Sequence, residues 1–316
     1  MSSPITATLF ATALLLALCQ PLRAQTAGPS PKPTTDPATQ PPTPQATSSP
    51  AIDATAIISA TSAPTAAVTP AATDVATTTT QTAPAVDLVN GYATGQHAHV
   101  FETQMGKRSV RLNYLLYVPA SYGQDPYAKY PLVIFLHGSR ELGKDVNKVK
   151  KAILPARLAS EADFPAIVLS PQSPSQGWDG SVPAITALLD ELEADFSIDP
   201  DRVYVTGLSM GAYGAWALAM KNQDRFAAII SVMGGYYYSA RQLCVLKDIP
   251  IWVFAGKKDR NVNPKESVAI VSTLEKCGGN PRFTFYEDAN HDQGWQRAYT
   301  DPEFFTWLLE QRRTAR

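Results

Sequence analysis

From Ala11 to Gly91 the chain contains no Phe, Trp or Tyr, although its 316 residues include 11 Phe, 5 Trp and 13 Tyr. A stretch of that length without aromatics has too little apolar surface to offset the entropy of ordering its backbone. Charge is scarce there as well. Between Gln25 and Val86 only Lys32, Asp36, Asp53 and Asp74 are charged, among Ala, Thr, Pro and Ser. The prolines interrupt helix and sheet, and the sparse charge excludes an acidic or basic tail. Residues 25–89 are therefore expected to be a disordered linker.

Other absences narrow the function. With a formal charge of −1 and no Lys/Arg cluster aligned with aromatics, nucleic acid is not an expected partner. No metal-ligand cluster appears, and no apolar run reaches membrane-spanning length. Leu9 to Leu18 is a short apolar run followed by Cys19-Gln20-Pro21-Leu22-Arg23-Ala24. It fits the h-region of a signal peptide over residues 1–24, which makes the protein exported, periplasmic or secreted. A lipoprotein anchored through Cys19 is the alternative. The mature chain then keeps Cys244 and Cys277, an even count that permits a disulfide. Cys244 precedes an apolar strand and Cys277 ends the helix after it, so both fall at the end of the sheet where parallel strands begin. A bridge there is worth about 3–4 kcal/mol in the chain-entropy model. Two separate buried thiols are the alternative.

Residues 90–316 suit one domain. Arg111 to Val118 reads as an early strand near the sheet edge. Short apolar runs follow at Pro131–Leu136, Ala166–Leu169, Arg202–Thr206, Ala228–Val232, Ile249–Ala255 and Arg282–Tyr286. Continuous apolar runs mean burial on both faces, as in parallel strands covered by helices. Helical patterns separate them at 147–159, 182–196, 211–220, 264–277 and 302–312. Asn263-Pro264 and Asp301-Pro302 each put a cap residue before a first-turn proline. The expected fold is a doubly wound, mostly parallel α/β sheet with helices on both faces.

Within that frame Gly207-Leu208-Ser209-Met210-Gly211 stands between a β-branched strand and an Ala-rich helix. This strand–turn–helix context lifts a serine hydroxyl above the sheet as a nucleophile, and the glycines allow close approach of strand and helix. A plain strand-to-helix turn is the bland alternative. A serine needs a base. His97 and His99 precede the first clear strand, and His137 belongs to the turn His137-Gly138-Ser139 after strand 131–136. His291, in a polar loop after strand 282–286, emerges at the same sheet edge as Ser209 and is the expected base. Asp259, in the loop after strand 249–255, is the expected acid that orients it. Asp292 is too close in sequence to reach around its neighbour's ring. The backbone amides of Met210 and Ser139 are the expected oxyanion donors.

Together His137-Gly138, the run Ile198 to Gly211, Gly256-Lys257-Lys258-Asp259 and Asn290-His291-Asp292 resemble secreted α/β-hydrolase esterases. The chain is most similar to the phospholipase/carboxylesterase-like group described as predicted peptidases. That group is related to feruloyl and acetylxylan esterases and polyhydroxybutyrate depolymerases. The order Ser209, Asp259, His291 is that of the α/β-hydrolases. The resemblance implies cofactor-free acyl-enzyme hydrolysis of a carboxylic ester. Two departures stand out: Ala212 where the family often has Gly, and Ser139-Arg140-Glu141-Leu142 where its loop is richer in glycine.

Met233 to Ile249 is too short for a large lid, so an open cleft is expected. Trp178, Trp295 and Tyr236 are expected to touch substrate, through stacking or as acyl-pocket walls. Small-molecule or polymer-derived esters, carbohydrate-linked or phenolic, are the expected substrates, with residues 25–89 as a tether to cell wall or polysaccharide. A serine peptidase on the same triad and a non-catalytic binding module are the competing readings.

Overall fold

In the computed structural model of the chain, residues 88–89, 91–161 and 163–313 are described. The expected signal segment, Cys19 and nearly all of the expected linker lie outside them. The described chain begins with a two-residue antiparallel ladder between β1 (Leu88–Val89) and β2 (Tyr92–Ala93), so two residues of the expected linker pair as a strand.

An eight-stranded sheet follows. Its strands are β3 (Gly95–Met105), β4 (Arg108–Val118), β5 (Tyr130–Leu136), β6 (Ile167–Pro171), β7 (Ile198–Leu208), β8 (Ala228–Val232), β9 (Ile251–Gly256) and β10 (Arg282–Tyr286). They lie in the order β10-β9-β8-β7-β5-β6-β4-β3. The strands from β10 to β6 run parallel, while β4 pairs antiparallel with β6 and β3 antiparallel with β4. This is the doubly wound, mostly parallel α/β sheet expected from the alternating strand and helix pattern, and it agrees with the α/β-hydrolase fold that the resemblance implies.

Side chains of the central strands alternate between two cores. Leu132, Ile134 and Leu136 of β5 join one, with α2 (Val182–Asp195), α3 (Met210–Lys221) and α5 (Pro264–Lys276). Val133 and Phe135 join the other, with α1 (Ile153–Leu158), α6 (His291–Thr300) and α7 (Pro302–Glu310). Both faces are covered, which is why these strands are apolar throughout.

Three local expectations need correction. The helix expected over 147–159 is two pieces, a 3₁₀ helix Val146–Lys151 and α1, because Ala152 is extended at ψ 151°. β3 is an additional strand that carries His97 and His99 on the sheet edge. The polar loop expected around His291 is instead the first turn of α6. The expected proline starts are present: Asn263 accepts from Lys265 N–H at 3.1 Å and Asp301 from Glu303 N–H at 2.9 Å. Between β8 and β9 the chain forms only α4 (Ala240–Leu243) and one 3₁₀ turn, so no large lid stands there. A disulfide joins Cys244, just before β9, to Cys277 at the end of α5, with Cα atoms 5.5 Å apart.

Candidate active site

Ser209 sits at the junction of β7 and α3 with φ 54° and ψ −120°, a conformation that non-glycine residues rarely adopt. Such a residue costs roughly 1–3 kcal/mol and persists only where its surroundings over-determine it. Here they do. Ser209 N–H donates to Val232 O of β8 at 2.9 Å, and Ala212 N–H donates back to Ser209 O at 3.0 Å. On the other side Gly211 lies against the end of β5, where a Cβ would overlap the Leu136 carbonyl; a Cβ on Gly207 would overlap the Gly211 carbonyl. The two glycines let the turn wedge between β5 and β8 and aim the serine off the sheet edge.

The loop that carries Asp259 and the loop that leads into His291 at the start of α6 are zipped together. Lys257 N–H donates to Tyr286 O at 2.9 Å, and Lys258 N–H to Ala289 O at 3.0 Å. This extends the β9–β10 ladder past the strand ends and brings Asp259 to the start of α6. Asp259 Oδ1 accepts from the N–H groups of Asn261 and Val262 at 2.8 and 3.0 Å, and Oδ2 lies 2.7 Å from His291 Nδ1. The carboxylate is 3% exposed and the imidazole 11%. Because a carboxylate only accepts, Nδ1 must carry the proton, leaving Nε2 as the free base.

α6 is fixed by a capping box: Asn290 Oδ1 accepts from Gln293 N–H at 3.0 Å, and Gln293 Oε1 from Asn290 N–H at 3.1 Å. Asp288 forms a fork with Arg297 at 2.6 and 2.9 Å, tying the preceding loop to the same helix. Met233, itself at φ 51°, packs beneath α6, where a side chain on Gly294 would strike its sulfur. Met233 and Gly294 support the base, and no local sequence signal marked either of them.

Ser139 begins a 3₁₀ turn, Ser139–Glu141, and Met210 begins α3. First-turn N–H groups lack helical partners, so both backbones are suited to hold an anionic oxygen. The loop around Ser139 is anchored from beneath. His137 is fully buried, with Nε2 accepting from Ser173 N–H at 3.0 Å and Nδ1 donating to Gly138 O at 2.6 Å. Burial pushes its pKa down to about 4, so the ring is neutral and the 3.8 Å approach of Glu141 Oε2 is not an ion pair. Gln172 Nε2 donates to the carbonyls of Glu141 and Asp145, each at 2.8 Å. On the outer side Arg140 Nη2 donates to both carboxylate oxygens of Asp292, at 3.0 and 2.8 Å. That contact holds the Asp292 carboxyl below the usual carboxylate range.

Ser209, His291, Ser139, Arg140 and Asp292 line one cavity of about 450 Å³. Leu208, Ala152, Ile153, Val262 and Trp295 supply its apolar wall. Of the residues expected to touch substrate, Trp295 is therefore at the cavity, on α6 rather than in a loop, with Nε1 donating to Asp292 at 3.2 Å. Tyr236 is half-buried and packs against the core on the α3 face. Trp178 corrects the expectation outright. It is 1% exposed, packs where Gly214 leaves room, meets the His137 ring edge-on and donates Nε1–H to His137 O at 3.3 Å. A ring so enclosed cannot stack on substrate; it braces the strand end that carries the Ser139 loop.

Residues 167–294 match the Dienelactone hydrolase family. Over 129 residues the chain is 33% identical to "Probable feruloyl esterase C" of Aspergillus terreus, covering 39% of this chain and 46% of that protein. A 64-residue stretch is 41% identical to Poly(3-hydroxyalkanoate) depolymerase C of Paucimonas lemoignei, covering 20% of this chain and 16% of that one. Among solved structures, a thermostable esterase superposes with a TM-score of 0.60 at 32% identity, covering 68% of this chain and 63% of its own. The chain thus spans less than half the length of these curated relatives.

Proposed function

We propose that this chain, which has the α/β-hydrolase fold and whose residues 167–294 match the Dienelactone hydrolase family, is a serine ester hydrolase working through an acyl-enzyme on Ser209. The observation that carries this is the 2.7 Å hydrogen bond between Asp259 and His291 beside the cavity onto which the strained Ser209 turn opens. In the first half-reaction Ser209 Oγ attacks the ester carbonyl carbon while His291 Nε2 takes its proton. The carbonyl oxygen becomes an anion facing the N–H groups of Met210 and Ser139. The tetrahedral species collapses, the C–O bond to the alcohol breaks, and Nε2 returns the proton to the leaving oxygen. Water then repeats the sequence on the acyl-enzyme and frees the acid and Ser209. Asp259 keeps the imidazole in the productive tautomer and stabilises its cation throughout. No cofactor enters any step.

The apolar wall with Trp295 suits a phenolic or short acyl group, and the names of the relatives support small or polymer-derived esters. The Cys244–Cys277 bond supports an oxidising compartment outside the cytoplasm, with residues 25–89 as the tether to polysaccharide. The test is turnover of p-nitrophenyl acetate and methyl ferulate by the full chain beside Ser209→Ala. Ester cleavage that disappears in the variant supports the proposal. Equal rates in both proteins would overturn it.

A further inference from the structure

Arg140 and Asp292 are 152 residues apart and meet across the site. Arg140 directly follows Ser139, the proposed oxyanion donor, and Asp292 directly follows His291, the proposed base. Their elements are not neighbours in the sheet. The Ser139 turn leaves β5 and α6 leaves β10, with β7, β8 and β9 between them. The buried bonds from His137 and Gln172 hold the Ser139 loop to the sheet beneath it. The Arg140–Asp292 pair joins that loop to the helix of the base, and both residues line the cavity.

Resting on the serine-hydrolase reading, we propose that this ion pair is a strut that sets the spacing between the Ser139 N–H and the His291 ring. Both are positioning residues. An N–H that meets the developing oxyanion helps only if it is already in place when the charge forms, so loosening it is felt in the transition state more than in substrate binding. A substrate-binding role for Arg140 is disfavoured because its Nη2 is already shared between both oxygens of Asp292. The pair is exposed, 67% and 47% by side chain. Exposed pairs are modest and salt-sensitive, which bounds the effect at about fivefold.

The experiment uses the full chain with Arg140→Gln, Asp292→Asn and the double variant, assayed on p-nitrophenyl acetate. Arg111→Gln, which removes a similarly exposed pair with Glu102 on the β3–β4 hairpin, is the control. In each single variant kcat should fall by about fivefold with KM unchanged, and the double variant should fall no further. High salt should lower wild-type kcat towards the variants and leave the double variant unmoved, while Arg111→Gln behaves as wild type. Unchanged kcat, additive losses, or a raised KM at unchanged kcat would each overturn the strut. End-point labelling of Ser209 by a fluorophosphonate separates the two failures. An unlabelled wild type sinks the serine mechanism itself, whereas labelled variants with wild-type kcat sink only the strut.

Discussion

Asp259 Oδ2 and His291 Nδ1 are 2.7 Å apart, and the loop of Asp259 is joined to the segment that leads into α6 by backbone hydrogen bonds beyond the ends of β9 and β10. The acid's second oxygen is saturated by the Asn261 and Val262 N–H groups. The carboxylate therefore has one direction left in which to act, and the imidazole occupies it.

Asp259→Asn tests that relationship. The amide offers Nδ1 a donor as readily as an acceptor, so the ring is free to take the tautomer with its proton on Nε2. In this variant kcat on p-nitrophenyl acetate should fall by about 10⁴-fold, while far-ultraviolet circular dichroism stays unchanged.

His137 predicts an acid sensitivity separate from catalysis. Its folded pKa is about 4 against 6.5 for the free side chain, so the unfolded chain binds the proton first as pH falls. The stability linked to the neutral ring is complete above pH 6.5 and is lost as pH drops through 6.5 towards 4. The loss reaches about 2 kcal/mol at pH 5. Urea unfolding at pH 7 and pH 5 should show this drop in the wild type and lack it in His137→Gln.

The two tryptophans should separate cleanly. Trp178→Ala empties a buried site against Gly214 and His137 and should cost about 3–5 kcal/mol in urea unfolding. Trp295→Ala, at the cavity wall, should raise KM for methyl ferulate several-fold.

That contrast shows what was legible in the sequence. Trp178 sits between Gly177 and Asp179-Gly180, which reads as an open loop; only Gly214, 36 residues on, marks the socket its ring fills. β5 to β9 were readable because burial on both faces makes such strands continuously apolar. β3 was not, since an antiparallel edge strand with Phe101 as its one buried side chain carries almost no hydrophobic pattern. α6 escaped for a related reason. Its His-Asp-Gln-Gly start is polar, and the available signal was the Asn290–Gln293 cap rather than periodicity. Ser209, Asp259 and His291 could be nominated because chain order and strand ends bring them to one edge. The Arg140–Asp292 contact, spanning three strands, leaves no local trace.

The Cys244–Cys277 bond predicts a stability effect without an activity effect. It lies at the strand-start end of β9, away from the loop that carries Asp259. Cys244→Ser with Cys277→Ser should lower unfolding stability by about 3–4 kcal/mol and leave kcat/KM on p-nitrophenyl acetate unchanged at 25 °C.

The most direct test of the Ser209 nucleophile is peptide mapping by mass spectrometry after brief exposure of the full chain to a fluorophosphonate, beside His291→Ala. A single phosphonyl adduct on Ser209 is expected in the wild type and almost none, over the same interval, in the folded variant. No adduct on folded wild type, an adduct on another residue, or labelling of His291→Ala at the wild-type rate would contradict the mechanism.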